Sequence, residues 1–169
     1  MEKNPINFCG ILLIVFLFTF SGCGSDDTDH DSQGQEIDDQ IQQCREIYSP
    51  ENGYDFEPQF AGPEASEDYE HLSPEQAEQE CNSDQGDSCD ADSFITMEAA
   101  KCIAQAFDFE PGLEDWTILL QYRASYKTVV WYVENLIVDA KDGKQEGKAL
   151  ILHGTTGQLI ETLIVGSSE

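Results

Sequence analysis

The fold of this chain is built around one long apolar stretch, Thr128-Val129-Val130-Trp131-Tyr132-Val133-Glu134-Asn135-Leu136-Ile137-Val138. It is rich in β-branched and aromatic residues, which favour extended strands. Successive side chains of a strand point to opposite faces, so this stretch puts apolar groups on both faces. A strand that is apolar on both faces is typical of the centre of a sheet. The stretch therefore predicts a long central strand with other strands beside it.

Three stretches around this strand also have the pattern of strands. Residues 117–124 alternate between apolar and polar side chains, which predicts a strand with one buried face. Residues 148–153 and 158–165 are joined by Gly154-Thr155-Thr156-Gly157, a turn that is typical of a hairpin. Strands joined by short turns pair antiparallel, so the sequence predicts a four-stranded antiparallel sheet.

A single amphipathic helix is predicted before these strands. Thr96 is suited to cap a helix from Met97 to about Asp108, and Pro111-Gly112 would end it. Apolar residues recur at helical spacing and form one face suited to lying on a sheet: Ala100, Ile103 and Phe107. One helix packed on four antiparallel strands makes a two-layer α+β domain over residues 93–169.

Acidic residues are concentrated ahead of this domain. The chain has 34 Asp and Glu against 8 Lys and Arg, a formal net charge of −26. Residues 24–93 contain 22 acids against one base, whereas residues 94–169 contain 11 acids against six bases. Phosphate contacts need clustered Lys and Arg, so a nucleic acid is not expected as a partner. Residues 23–43 have almost no apolar side chains, which predicts a disordered acidic tether.

The N-terminal residues have the pattern of an export signal. Lys3 gives a charged start, and the apolar run 11–20 is shorter than the roughly 20 residues that a spanning helix needs. The run ends in Phe20-Ser21-Gly22-Cys23, which resembles a bacterial lipobox. The resemblance implies removal of residues 1–22 as a signal peptide and acylation of Cys23. We therefore expect a lipid-anchored, extracytoplasmic protein of a bacterial outer membrane, on its periplasmic face or at the cell surface, with an unlipidated secreted protein as the alternative.

Four further cysteines lie in the chain that remains, Cys44, Cys81, Cys89 and Cys102. An even number of cysteines in an oxidising compartment predicts two disulfides. Three connectivities are open, and we prefer Cys44 with Cys81 and Cys89 with Cys102. A zinc site is the alternative, but the close C-x-x-C spacing typical of zinc ligands is absent.

Residues 44–92 are predicted to be an acidic, disulfide-containing and weakly structured segment. Within it, Ser73-Pro74-Glu75-Gln76 has the cap signals of a short helix from Pro74 to about Glu80. Four aspartates that follow are weak candidates for calcium: Asp84, Asp87, Asp90 and Asp92. They fail the register of an EF-hand loop, so we expect a solvated loop, no metal and no cofactor.

The C-terminal domain resembles a known family. The residues concerned are a helix opened by Thr96-Met97-Glu98-Ala99-Ala100, the strand residues Trp131-Tyr132-Val133, and a hairpin that ends in Thr156-Gly157-Gln158-Leu159-Ile160. They are similar to PepSY-like domains of bacterial envelope proteins over about residues 93–165, although His153-Gly154 stands where the family usually has Asp-Ala. The resemblance implies a cystatin-like helix-on-sheet form and a non-catalytic module, in some cases proposed to restrain peptidases.

The sequence contains no G-x-S-x-G, H-E-x-x-H or glycine-rich phosphate motif. We therefore expect not an enzyme but an envelope module that binds a protein, peptide or glycan through a face or an edge of the sheet. The candidates for an exposed aromatic binding face are Trp116, Trp131 and Tyr132, with core packing as the alternative. The other function considered is that of an acidic cation-binding or surface-conditioning lipoprotein.

Overall fold

The computed structural model describes residues 29–60, 70–84, 88–111, 116–138 and 145–166. Within these residues the fold is α+β, as predicted, with three α-helices and four β-strands. The elements are α1 (Asp29–Ile47), α2 (Pro74–Ser83), α3 (Met97–Ala106), β1 (Thr117–Arg123), β2 (Thr128–Val138), β3 (Gln145–His153) and β4 (Leu159–Gly166). No helix in the described ranges is both long enough and apolar enough to cross a membrane.

The four strands pair antiparallel in chain order, β1-β2-β3-β4. Trp131 on β2 lies opposite Leu120 on β1 and Leu152 on β3. Residues that lie opposite each other in a sheet share one face, so these three side chains point the same way. The predicted central strand is confirmed, since β2 is paired on both sides.

The main core lies between one face of the sheet and the helices. Helix α3 begins after Thr96, whose hydroxyl accepts the Ala99 N–H at 3.2 Å, as the sequence predicts. Its buried residues are small or aliphatic, which brings the helix close to β1 and β2: Ala99, Ala100, Ile103 and Ala104. Beneath it, the Trp131 ring is fully buried and its indole N–H donates to the Ile95 carbonyl at 2.9 Å.

Helix α1 corrects the prediction of a disordered tether over residues 23–43. From Asp29 the chain is helical, and Ile41 and Cys44 are 6% and 4% exposed. Together with Ile37 they recur at positions i, i+4 and i+7, which gives one narrow apolar stripe against the core. The average composition of residues 23–43 does not reveal this stripe, because it consists of only three side chains. These three are enough to stabilise the helix once it packs against α3. The predicted signal peptide and residues 23–28 lie outside the described residues.

Two disulfides are present, as predicted, but the preferred pairing is wrong. Cys44 on α1 bonds Cys102 on α3, and Cys81 at the end of α2 bonds Cys89. The Cys44–Cys102 bond follows from the packing of α1 on α3 and closes a separation of 58 residues, worth about 4 kcal/mol by loop-closure entropy. Cys89 is held near α2 because the Asn82 side chain bonds both its N–H and its carbonyl, at 3.0 and 3.2 Å.

The described part of residues 44–92 is more ordered than predicted. Helix α2 starts at Pro74 with the expected capping box between Ser73 and Gln76, and it extends to Ser83. Leu72 is buried in the main core, and the Phe56 ring stacks on Trp131 with centroids 6.4 Å apart. The aromatic and aliphatic side chains of this segment therefore complete the core of the sheet. Residues 61–69 and 85–87 lie outside the described residues.

The opposite face of the sheet carries a second, smaller cluster of buried side chains, here called the far-face cluster: Leu119, Val130, Tyr132, Ala149 and Ile151. Tyr126, Leu163 and Val165 are partly buried and pack against it. Both faces of β2 are therefore covered, as its apolar sequence requires.

Gly157 gives a test of how the β3–β4 hairpin packs under the helices. Its φ is +75°, and a Cβ there would overlap Cδ1 of Ile103. We predict that Gly157→Ala lowers the free energy of unfolding by about 2 kcal/mol or more, from left-handed backbone strain and overpacking. Urea denaturation measures this change.

Gly34→Ala is the matched control. Gly34 lies in α1, and apart from its chain neighbours and the backbone of its own helix no described atom lies within 4 Å of the position that an added methyl group would take. Alanine there is therefore expected to add up to about 1 kcal/mol through helix propensity. A Gly157→Ala variant as stable as the wild type would contradict the packing described for the hairpin.

Candidate binding edge

The two edges of the sheet differ in how their backbone groups are paired. At the β1 edge, Gln59 forms a bridge with Ile118. The Gln59 N–H donates to the Ile118 carbonyl at 3.2 Å, and the Ile118 N–H donates to the Gln59 carbonyl at 2.6 Å. A segment that precedes α2 in the chain thus pairs with β1 from outside the four-stranded sheet.

Residues 70–72 continue this cover along β1. The Leu72 N–H donates to the Leu120 carbonyl at 2.9 Å, and the Leu120 N–H donates to Nδ1 of His71 at 3.1 Å. Next to them, the Gln121 side-chain amide donates to the Glu70 carbonyl at 2.9 Å. The outward backbone groups of both Ile118 and Leu120 are therefore satisfied.

Strand β4 forms the other edge, and among the described residues it pairs with β3 alone. The direction of its backbone groups follows from two hydrogen bonds at the hairpin. The His153 N–H donates toward β4, to the Gln158 carbonyl, whereas the Gly154 N–H donates toward β2, to the Val129 carbonyl; both bonds are 2.8 Å. Backbone groups of successive strand residues alternate in direction, so Ile151 and Ala149 also face β4.

The residues of β4 opposite Ile151 and Ala149 are Glu161 and Leu163. Their backbone groups therefore point inward, to β3. By the same alternation, the N–H and C=O groups of Thr162 and Ile164 point away from the sheet. A row of outward backbone donors and acceptors of this kind is a template for another strand.

The side chains of β4 do not protect this edge. The Ile164 side chain is 88% exposed, and Leu159 and Ile160 are each 37% exposed. Natural proteins commonly block an edge with Lys, Pro, other charges or a β-bulge; β4 has no Lys or Pro, and its single charge, Glu161, lies next to a register shift at the start of the strand, away from Ile164. Apolar side chains and outward backbone groups thus lie side by side on one accessible edge.

The three aromatic residues predicted as a binding face do not form one. Trp116 and Trp131 are fully buried, and Phe109 packs beside Trp116 with ring centroids 6.1 Å apart. Tyr132 belongs to the far-face cluster and is 6% exposed. Trp131 and Tyr132 are consecutive on β2, so they point to opposite faces and cannot share a surface. Core packing, the alternative interpretation, is what the structure has.

The acidic loop after α2 shows no arrangement for a cation in its described part. Asp84 accepts the Tyr122 hydroxyl at 2.6 Å, a hydrogen bond that raises the pKa of Tyr122 to about 12. The Asp90 carboxylate accepts the Asp92 N–H at 3.1 Å. Among the described residues no three His, Cys, Asp or Glu side chains are grouped to hold a metal ion, and Asp87 lies outside them.

A cleft of about 390 Å³ lies between the end of α1 and the start of α3. Its lining includes Arg45, Ser49 and Ser93 but no histidine and no cysteine. His71 and His153 are attached to different elements, the β1 edge and the β3–β4 hairpin. The Nδ1 atom of His153 accepts the N–H groups of Thr155 and Thr156, at 3.2 and 3.3 Å. Both imidazoles thus satisfy backbone donors.

The pairing of the β1 edge is expected to depend on pH, because the His71 side chain that accepts the Leu120 N–H can titrate. Burial lowers the pKa of His71, while a hydrogen bond with the Phe56 backbone acts in the opposite direction. Protonation at Nδ1 would also remove the acceptor of the Leu120 N–H. A lowered pKa in the folded state means that the unfolded state binds the extra proton first. The stabilisation is therefore complete above the ordinary histidine pKa of 6.5 and is lost as the pH falls through the folded-state value.

We predict that the free energy of unfolding of the wild type falls between pH 7.5 and pH 5.5 more steeply than that of His71→Asn. The asparagine Oδ1 is an acceptor near the position of Nδ1 that does not titrate in this range. Urea denaturation across this pH range gives the two slopes, and all other titrating groups are common to both proteins. Equal slopes would show that His71 is not coupled to the edge.

Comparison with protein-family models, with curated proteins and with solved structures finds no match for this chain.

Proposed function

We propose that this chain is a lipid-anchored protein of the bacterial envelope, whose C-terminal domain binds a protein or peptide without catalysis, by addition of a strand to β4. The observation that carries the proposal is the difference between the two edges. The outward backbone groups of Ile118 and Leu120 on β1 are bonded to residues 59, 71 and 72, whereas β4 offers its outward groups beside exposed aliphatic side chains. In strand addition the backbone supplies the hydrogen bonds and alternate side chains supply selectivity.

The anchor part of the proposal rests on Phe20-Ser21-Gly22-Cys23 and on the apolar run before it. Five residues separate Cys23 from the start of α1 at Asp29. A fully extended chain spans about 3.5 Å per residue, so the helix would begin within about 20 Å of the acylated cysteine. The proposed anchor is thus short, and the domain, of which α1 is a packed part, would lie close to the lipid surface.

The PepSY-like resemblance supports the same class of function. In this proposal the domain is a non-catalytic envelope module, and restraint of a peptidase is one form that its binding could take. The edge strand β4 overlaps the resembling hairpin residues at Leu159 and Ile160. Binding at β4 would therefore use the part of the domain on which the resemblance partly rests.

Site-specific photo-crosslinking in intact cells tests the proposal. A photoreactive phenylalanine analogue at Ile164 is expected to give a discrete protein adduct in the membrane fraction. The same analogue at Gln105, an exposed position on α3, is expected to give none. Cys23→Ser should move the protein out of the membrane fraction, because acyl chains would no longer hold it.

Three outcomes would count against the proposal. Equal adducts from Ile164 and Gln105 would indicate non-specific proximity. No adduct at Ile164 would contradict binding at β4. An unchanged membrane fraction for Cys23→Ser would contradict the anchor.

A further inference from the structure

We propose that the segment bound at β4 is a cationic extended peptide of another protein, with aliphatic or β-branched residues at alternate positions and Lys or Arg flanking them. This inference rests on the proposed function and names the chemical class of its partner. Three features of the β4 edge lead to it: the backbone, the side chains on the two faces of the edge, and charge.

The backbone of β4 requires an extended partner. Thr162 and Ile164 each direct one N–H and one C=O outward, two residues apart along the strand. Only a chain in extended conformation presents donors and acceptors at the same repeat, and pairing with it would satisfy groups that no described residue pairs. A glycan or a helix does not match this repeat.

The side chains of β4 require apolar groups on the partner strand. Ile164 and Thr162 are exposed on the face of the sheet that the helices occupy elsewhere. Leu163 and Val165 lie on the other face, half-buried against the far-face cluster. A strand added beside β4 would cover both pairs, so alternate residues of the partner would meet aliphatic neighbours on each face.

Charge decides between another protein and a second copy of this chain. The chain carries a net charge of −26, and the only charged side chain of β4 is that of Glu161. Glu161 is exposed and accepts a hydrogen bond from the Tyr126 hydroxyl. Two copies would bring two strongly acidic molecules together, whereas a basic segment would be attracted and steered toward the edge.

A peptide-binding experiment tests this inference with the oxidised chain from residue 24 onward. The probe is a fluorescent peptide of three Val-Thr repeats flanked by two lysines at each end. Its matched control has glutamate in place of each lysine. Fluorescence anisotropy is expected to show at least tenfold tighter binding of the lysine peptide, with the difference shrinking at high salt because salt screens charge.

Two pairs of variants locate the binding on β4. Thr162→Pro removes an outward N–H without removing a bond to β3, so it should weaken the lysine peptide at least tenfold, while Thr162→Val should not. Ile164→Lys should also weaken it, and Ile164→Glu should preserve or tighten it. The Ile164 pair keeps the test informative if the proline variant does not fold, which circular dichroism would reveal.

Each outcome has a definite meaning. Equal binding of the lysine and glutamate peptides, or binding unchanged in Thr162→Pro and Ile164→Lys, would overturn the inference. Self-association of the wild type that Thr162→Pro abolishes would identify a second copy as the partner and would also overturn it. Absence of peptide binding together with a retained Ile164 crosslink in cells would overturn this inference but not the proposed function, whereas loss of both would remove the proposed function as well.

Discussion

Every open β-sheet ends in two rows of backbone N–H and C=O groups, and the way these rows are satisfied governs how this molecule is built. At β1, residues 59, 71 and 72 supply hydrogen bonds to Ile118 and Leu120 from an earlier part of the chain. At β4, no described residue does so. The described parts of the acidic segment before the C-terminal domain are therefore part of the fold. They pair one edge of the sheet and complete its core.

The asymmetry follows from chain order. The three α-helices of the described residues precede β1, and α2 and α3 pack on β1 and β2. Helix α1 lies against α3 and is tied to it by the Cys44–Cys102 disulfide. Because the strands follow one another as a meander, this cover lies on the first half of the sheet. The last strand is left with exposed aliphatic side chains and outward backbone groups.

Much of this fold could be predicted from short-range pattern. The strands, the cap at Thr96 and the capping box at Ser73 each depend on residues close in sequence. Helix α1 could not be predicted from composition, because its burial depends on three residues that meet α3. The preferred disulfide pairing was wrong for the same reason, since Cys44 comes close to Cys102 only when α1 packs on α3.

Binding through a face or an edge of the sheet stays a prediction, and the position of the accessible edge was not predicted from the sequence. The aromatic residues predicted to form a binding face, Trp116, Trp131 and Tyr132, are buried. Alternation along β2 already separates Trp131 from Tyr132, a signal that the sequence contains. That β4 is the open edge required the strand order and the cover of β1, which are tertiary facts. The apolar, lysine-free sequence of β4 indicates an unprotected edge only when the strand is known to lie at the edge of the sheet.

Amide hydrogen exchange of the free, monomeric protein tests the difference between the two edges most directly. We predict slow exchange for Ile118 and Leu120, whose amides are bonded to residues 59 and 71, and for Leu163, which faces β3. We predict fast exchange for Thr162 and Ile164. Protection of Thr162 and Ile164 equal to that of Leu120 would show that the β4 edge is already paired and would contradict its availability for an added strand.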